Sequence, residues 1–447
     1  MIVSRQQIRR PVGIDLFAGA GGFSLGFEQA GFDVIAAVEI DPIHACVHKY
    51  NFPCCTVIPN SVVGLTGREI RRAADIGDLP IDVIFGGAPC QGFSLIGHRA
   101  LDDPRNSLVR EFVRIVSELN PNFFVFENVK GLTIGKHRRF LAELIEAFHA
   151  VKYTVRVPWR VLNSIEYGVP QDRERLFLIG AKAGHPVPEY PSRLTRRTGS
   201  HEELFALPEG PSCQDAIGDL PDAEEFEELR ESDAVCTDNW GEPSAYSSEL
   251  RCLDERAWYL GYPRRWEPSL LTCSMRTDHT TISRKRFHAT APGSVEPISR
   301  FYKLSPAGVS NTLRAGTDSA RGAFTSPRPI HYERQRCITV REMARLHGFP
   351  DWFRFHATKW HGARQIGNAV PPPLARAVAH EISRVLGVNP PRPWKVLELG
   401  SPELLKMDMK RAASYWHIQI PIGRRDKKSG AKKRKQIEIE ASIMSRL

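Results

Sequence analysis

Four groups of residues in this sequence could carry chemistry. In "VIFGGAPCQGFS", residues 83 to 94, an apolar run breaks at two glycines and presents Cys90 between a proline and a glutamine. A thiol placed there is either a small buried hydrophobe or a nucleophile, and a nucleophile must shed its proton, which an ordinary cysteine does only near pH ~8.5. In "NFFVFENV" a second apolar run ends at Glu127, a carboxylate that becomes a proton donor if burial raises its pKa. "QDRERLFLIGA" puts Arg173 and Arg175 two apart at the head of a third run. "DLFAGAGGFSLGFEQAGF" supplies Gly19, Gly21 and Gly22, with Glu39 about twenty residues beyond them. Taken singly, each has a plain reading as a core thiol, a surface carboxylate, a strand-edge pair or a close-packed turn.

What must position these groups is a sheet. Val12 to Phe17 predicts a strand that runs through the glycines into a helix, with Phe23, Phe27 and Ala30 at helical spacing and Gly31 as its stop. "DVIAAVEID" predicts the next strand, and Asp41 followed by Pro42 reads as the cap and first turn of the following helix. Residues 81 to 87, 122 to 129 and 175 to 181 are continuous apolar runs, as strands covered on both faces should be, with "SLVREFVRIVSEL" as an amphipathic crossover between the first two. The fold class is therefore α/β, a Rossmann-like sheet, and Cys90 and Glu127 both fall just past strand ends, where such sheets bind ligands. Ser24 stands where G-x-G-x-x-G requires its third glycine, which disfavours a pyrophosphate cofactor. A nucleoside without phosphates, chiefly S-adenosylmethionine, suits the loop better.

Composition narrows the class. With 447 residues, 42% apolar and 25% charged, the chain has enough material for two domains. No apolar run approaches a membrane span and no signal peptide is apparent, so a cytoplasmic protein is expected. Nine scattered cysteines without a Cys-x-x-Cys pair argue against a disulfide framework and a structural zinc. His44, Cys46 and His48 read as a solvated or half-buried helix face, and no metal site is expected. The net charge of +10 is unevenly spread: residues 256 to 336 carry +9, residues 424 to 447 carry +6, and the remainder carries −5. That distribution points to a polyanion met by particular surfaces.

Six stretches in order, "DLFAGAGGFSLGFEQAGF", "GGAPCQGFS", "FENVKGL", "QDRER", "ITVREMARLHGFPDWF" and "QIGNAVPPPLARAVA", resemble the motif series of the cytosine-C5 DNA methyltransferases. The resemblance implies a Rossmann-like S-adenosylmethionine-dependent methyltransferase sheet with a second, smaller target recognition domain. It divides the chain into a first catalytic part (1–180), the recognition domain (181–334), a second catalytic part (335–390) and a C-terminal extension with a basic tail (391–447). It implies that Cys90 adds to cytosine C6, that Glu127 holds N3 and the exocyclic amine, that Arg175 holds O2, and that Arg173 helps fix the acidic pair. Phe17, Gly19, Gly21, Glu39, Asn60, Asn368 and Val370 would bind the cofactor. Asn60 replaces the acid usual after the third strand, and Ala88 the first proline of Pro-Pro-Cys-Gln.

The substrate would be a cytosine flipped from duplex DNA, with the loop after Gln91, including Ser94 and Arg99, closing over it. Within the recognition domain, Arg276, Arg284, Arg286, Thr312, Leu313, Arg314 and Arg321 are candidates for phosphate and base contacts. "PSCQDAIGDLP" reads as a linker and the acidic residues 221 to 233 as a solvated face. The expected protein is a monomeric enzyme of bacterial or phage type, the protective half of a restriction and modification pair that also contains a cognate endonuclease. The alternatives are a tRNA cytosine-C5 methyltransferase and a catalytically silent DNA-binding relative.

Overall fold

The apolar runs lie side by side in one eight-stranded sheet. The structure, a computed structural model, describes residues 8–89, 106–134, 137–197, 207–317 and 325–420. The strands are β1 (Val12–Leu16), β2 (Asp33–Val38), β3 (Thr56–Ile58), β4 (Val83–Gly86), β5 (Phe123–Val129), β6 (Tyr153–Val155), β7 (Arg160–Asn163) and β8 (Glu174–Lys182). Their order is β3-β2-β1-β4-β5-β8-β6, with β7 also paired to β8. From β3 to β5 every pairing is parallel, whereas β8 runs antiparallel to β5, β6 and β7. The chain order reverses between β1 and β4, so their carboxyl ends open a crevice.

Helices cover both faces. The helices α1 (Gly22–Gln29), α2 (Pro42–Asn51), α3 (Gly67–Ala73), α4 (Ser107–Leu119) and α5 (His137–Ala150) belong to the first part of the chain. The middle contributes α6 (Cys213–Ile217), α7 (Ala245–Leu250) and α8 (Thr281–Ala289), and the last part α9 (Val340–Arg345), α10 (Lys359–Asn368), α11 (Pro372–Leu386) and α12 (Met409–Tyr415). The period-two alternation of β5 divides its side chains. Phe123 and Val125 face α1 and α11, while Phe124 and Phe126 face α4 and α5. Stacked rings fill both layers, Phe27 on Phe85 at 3.8 Å and Phe124 on Phe148 at 3.9 Å between centroids.

The middle of the chain has little regular structure. Among its described residues, beyond three short helices, it contains the two-residue strands β9 (Val235–Cys236), β10 (Arg264–Arg265) and β11 (Leu270–Leu271) and a few single 3-10 turns. The stretch expected to be a linker is instead α6, opened by a Ser212–Asp215 capping box. Its Cys213, Ala216 and Ile217, at helical spacing, enter a core shared with α2, α9 and α10. The acids of residues 221 to 233 are likewise not merely a solvated face. Asp222 bonds the buried Arg336 at 3.0 Å, Asp233 bonds Arg354 at 3.0 Å, and Glu224 bonds Arg284.

Residues beyond α11 also differ from expectation. The strand β12 (Leu397–Glu398) pairs with β10, and Leu404, Leu405 and Ala412 pack over α2. Trp416 Nε1 donates to Pro42 O at 3.2 Å. Cys46 is buried under that covering, its Sγ 3.8 Å from Met407 Sδ, while His48 is buried against Ser24 and Phe52 and His44 beside the cavity; the sequence placed all three on a solvated or half-buried face. Among the described residues, no helix is long and apolar enough to cross a membrane.

Candidate active site

The crevice at the ends of β1 and β4 is a cavity of about 750 Å³. Phe17, Gly19, Glu39, Asn60, Glu127, Arg173, Arg175, Asn368 and Val370 all line it. Its floor is the turn after β1, where Phe17, Gly19 and Gly21 have φ of 64°, 56° and 103°. A Cβ on Gly19 would meet nothing within 4 Å, so that glycine serves the backbone angle and leaves space above the turn. Gly21 does not line the cavity; a Cβ there would sit 2.3 Å from the Phe52 ring. Gly22 and Gly26 let α1 approach α11, since their Cβ atoms would lie 2.6 Å from Val370 O and 2.3 Å from Ala375 Cβ.

Glu39 accepts from Gly19 N at 2.8 Å and Asp41 N at 2.7 Å, which fixes its carboxylate at the turn. Burial raises its pKa against the opposing pull of His44. Asp15, which the sequence reading passed over, also lines the cavity. It accepts from Ser24 Oγ at 2.6 Å, its Oδ1 is buried without a partner, and burial pushes its pKa up to about 8. Its signal was the acid directly before the Gly-rich turn.

Glu127 and Arg175 face each other across the β5–β8 pairing. Arg175 Nε bonds Glu127 Oε1 at 2.9 Å. Burial raises the Glu127 pKa, and the nearby Arg175, then Arg173, oppose that rise. Gly87 explains how the carboxylate fits, because a Cβ on it would come 2.5 Å from Glu127 Oε2. Asn128 Nδ2 donates to Ala88 O at 2.8 Å and ties the end of β5 to the turn after β4. Arg173 makes no ion pair with the acid. It is 2% exposed and donates to three backbone carbonyls, Leu313 O at 3.1 Å, Gly367 O at 2.9 Å and Ala369 O at 2.9 Å. It supplies positive potential at Glu127 while holding chain segments together.

Cys90, Ser94, Arg99 and Arg321 lie outside the described residues. Pro89, which precedes Cys90 in sequence, is part of the cavity wall. The other candidates for DNA contact divide sharply. Leu313 is 1% exposed, with its N–H on Gln171 Oε1 at 3.0 Å, and Thr312 Oγ1 donates to Asp172 O at 2.6 Å. Arg276 bonds Glu227 at 3.1 Å, Arg284 bonds Glu224, and Arg286 lies 3.7 Å from Glu296. In the described conformation Leu313 is core, and these three guanidinium groups are engaged by acids of their own region. Arg314 is exposed. Residues missed by the sequence reading, Ala315, Gly316, Thr317 and Arg364, line the cavity instead.

The model of the C-5 cytosine-specific DNA methylase family matches residues 12–384. The chain belongs to this family. The methylase is 57% identical, over 92% of its length and 94% of the relative's, to the Type II methyltransferase M.XorII of Xanthomonas oryzae pv. oryzae. It is 34% identical to the Type II methyltransferase M1.HphI of Haemophilus parahaemolyticus, covering 83% of this chain and 86% of that one. Among solved structures it is similar to a DNA modification methyltransferase encoded within an E. coli prophage. That match has a TM-score of 0.66 and 32% identity, and covers 84% of this chain and 99% of the other. The family accounts for the Rossmann-like sheet and makes the protein a DNA cytosine-C5 methyltransferase.

Proposed function

We propose that this methylase transfers a methyl group from S-adenosylmethionine to C5 of a cytosine flipped out of a specific duplex sequence, through a covalent bond between Cys90 and C6. The observation that carries the reading is the pairing of buried Glu127 with Arg175 on the wall to which Pro89 also belongs.

Cytosine C5 is a poor nucleophile, which sets the tasks of the residues. Addition of the Cys90 thiolate to C6 breaks the C5–C6 double bond and puts its electron pair on C5. Glu127, whose pKa burial raises against the pull of Arg175 and Arg173, gives a proton to N3 and so draws charge away from the ring as the bond forms. Arg175 steadies the carboxylate and offers donors to the base oxygen. Once C5 carries the methyl group, a base or water takes the C5 proton, the C–H electron pair re-forms the C5–C6 double bond and expels the Cys90 thiolate from C6, and N3 returns its proton to Glu127. The bound cofactor supplies an electrophilic methyl group on a sulfonium centre.

The residues fit that cofactor. Glu39 retains acceptor capacity for the ribose hydroxyls beside a turn that leaves open space, and Asp15 Oδ1 on the same wall is buried without a hydrogen-bond partner. Asn60, Asn368 and Val370 line the remainder, with Phe17 at the turn.

The Type II names of the relatives support a role as the protective partner of a restriction endonuclease. We place the enzyme in the bacterial cytoplasm, acting as a monomer on double-stranded DNA. Residues 1–180 and 335–390 form the catalytic part, 181–334 the recognition part, and 391–447 an extension. Bisulfite sequencing of DNA from cells expressing the protein tests this reading. Fully methylated cytosine at one short sequence is expected, and unmethylated DNA, or methylation confined to tRNA, would overturn it.

A further inference from the structure

A buried polar junction lies behind the cavity wall, built from groups that do not face the base. Gln171 and His347 are fully buried. The Gln171 amide is fixed at both ends. Its oxygen accepts from Leu313 N at 3.0 Å, and its nitrogen lies 2.8 Å from His347 Nδ1 and 3.3 Å from Leu346 O. With the amide nitrogen so oriented, Nδ1 must be the acceptor. The ring proton therefore sits on Nε2, which donates to Ala369 O at 3.1 Å. Burial also holds His347 well below its ordinary pKa, so the ring stays neutral. Arg173 reinforces the junction through its bonds to Leu313 O, Gly367 O and Ala369 O. There is no slack between the two backbones, because a Cβ on Gly367 would lie 2.3 Å from Ala315 N.

Each backbone joined in this way is a wall of the cavity. Ala315, Gly316 and Thr317 line it from the recognition side, and Gly367, Asn368, Ala369 and Val370 from the other. We propose that Gln171 and His347 are positioning residues that lock these two walls into one body, so that binding of DNA and binding of the cofactor strengthen each other. The inference rests on the cofactor and substrate proposed above. A ligand that orders one wall orders the other through these bonds, and the second ligand then meets a wall already ordered. The strengthening must be reciprocal.

Two substitutions of His347 cut the junction at different bonds. His347→Asn keeps an acceptor near the Nδ1 position and loses the donor to Ala369 O; His347→Gln keeps a donor near Nε2 and loses the acceptor for Gln171. Affinity of the full chain for the duplex found by bisulfite sequencing is measured with and without saturating S-adenosylhomocysteine. The wild type is expected to bind DNA at least roughly five-fold more tightly with it. In both variants that ratio should fall to within about two-fold of unity, and the effect of DNA on S-adenosylhomocysteine affinity should fall by the same factor. A general loss of structure would weaken both affinities and leave the ratio in place. If one variant melts below the assay temperature, the other decides. A wild type that binds both ligands without mutual strengthening, or variants that retain the ratio, would overturn the inference. A wild type that binds neither ligand would instead overturn the function proposed above.

Discussion

The sheet end of the molecule and its middle region place their functional groups by opposite means. Around β1, β4 and β5, position follows from apolar burial and backbone geometry. Phe85, Phe124 and Phe126 fix the strands between two helix layers, and Gly87 clears the space that the Glu127 carboxylate occupies. In residues 207–317 regular hydrogen bonding is sparse, and buried arginines do the joining. Arg345 bonds Asp351 at 2.6 Å and Asp219 at 3.0 Å, Arg336 bonds Glu342 at 2.8 Å and Asp222 at 3.0 Å, and Arg264 reaches Glu28 on α1 at 2.8 Å. The lesson is that a run of arginines in a DNA-binding chain is not by itself a DNA footprint. Several of these side chains are spent on attaching a weakly structured region to a rigid one.

The largest expected effect lies at that attachment. Arg345→Leu removes the nearest cation from buried Asp351 and Asp219, leaving them only Arg341 at 3.6 Å and Arg251 at 3.4 Å, and unfolding in denaturant should show a loss of about 3–5 kcal/mol. A loss under about 1 kcal/mol would mean that apolar contacts, not charge, hold the middle region. On the sheet side, the comparable test is overpacking. Gly26→Ala drives a methyl group into Ala375 and should cost about 1–3 kcal/mol. Because α11 follows directly on the Asn368–Val370 wall, weaker cofactor binding should accompany it, measurable by calorimetry.

The two regions should also part company in acid. Arg336 and the Thr339 backbone hold the Glu342 pKa down to about 2, against the opposing effect of burial. A carboxylate with a depressed folded pKa contributes stability above its unfolded value near pH ~4.3 and loses it as pH falls toward the folded one. Loss of α9 docking should therefore develop below pH ~4. Glu127 and Asp15, with raised values, act in the opposite sense, destabilising as they ionise with rising pH. An acid transition left unchanged by Glu342→Gln would contradict this assignment. The smallest effect concerns DNA. Arg314→Ala should lower the salt dependence of DNA affinity by about one unit of slope, whereas Arg276→Ala and Arg284→Ala should scarcely change it. Equal effects at all three would mean that the ion pairs to Glu227 and Glu224 open on binding.

Legibility in the sequence followed the same division. The strand leading to Glu39, the strands carrying Glu127 and Arg175, and the α2 cap at Asp41 were readable because each is a local pattern of burial or hydrogen bonding. The antiparallel course of β8 was not, since a run buried on both faces looks the same in either direction. Nor was the burial of Cys46 on α2, which depends on residues 397–416 folding back across more than 340 positions of chain. Arg276 and Arg284 were misread for a related reason. Their acid partners stand nearly fifty and sixty residues away, and no spacing rule links them. Asp15 and His347 show the limit from the other side, for what they do depends on which atoms burial leaves without partners or pins in place.

The central claim is that Cys90 attacks a cytosine held by Glu127 and Arg175. Incubating the full chain and S-adenosylmethionine with target duplex carrying 5-fluorocytosine tests it most directly, since fluorine at C5 cannot leave as a proton does and the enzyme should stay attached. The account predicts a complex that survives denaturing electrophoresis in the wild type, is absent in Cys90→Ser, and forms at least ~100-fold more slowly in Glu127→Gln. No covalent complex in the wild type, or one that persists in Cys90→Ser, would contradict it.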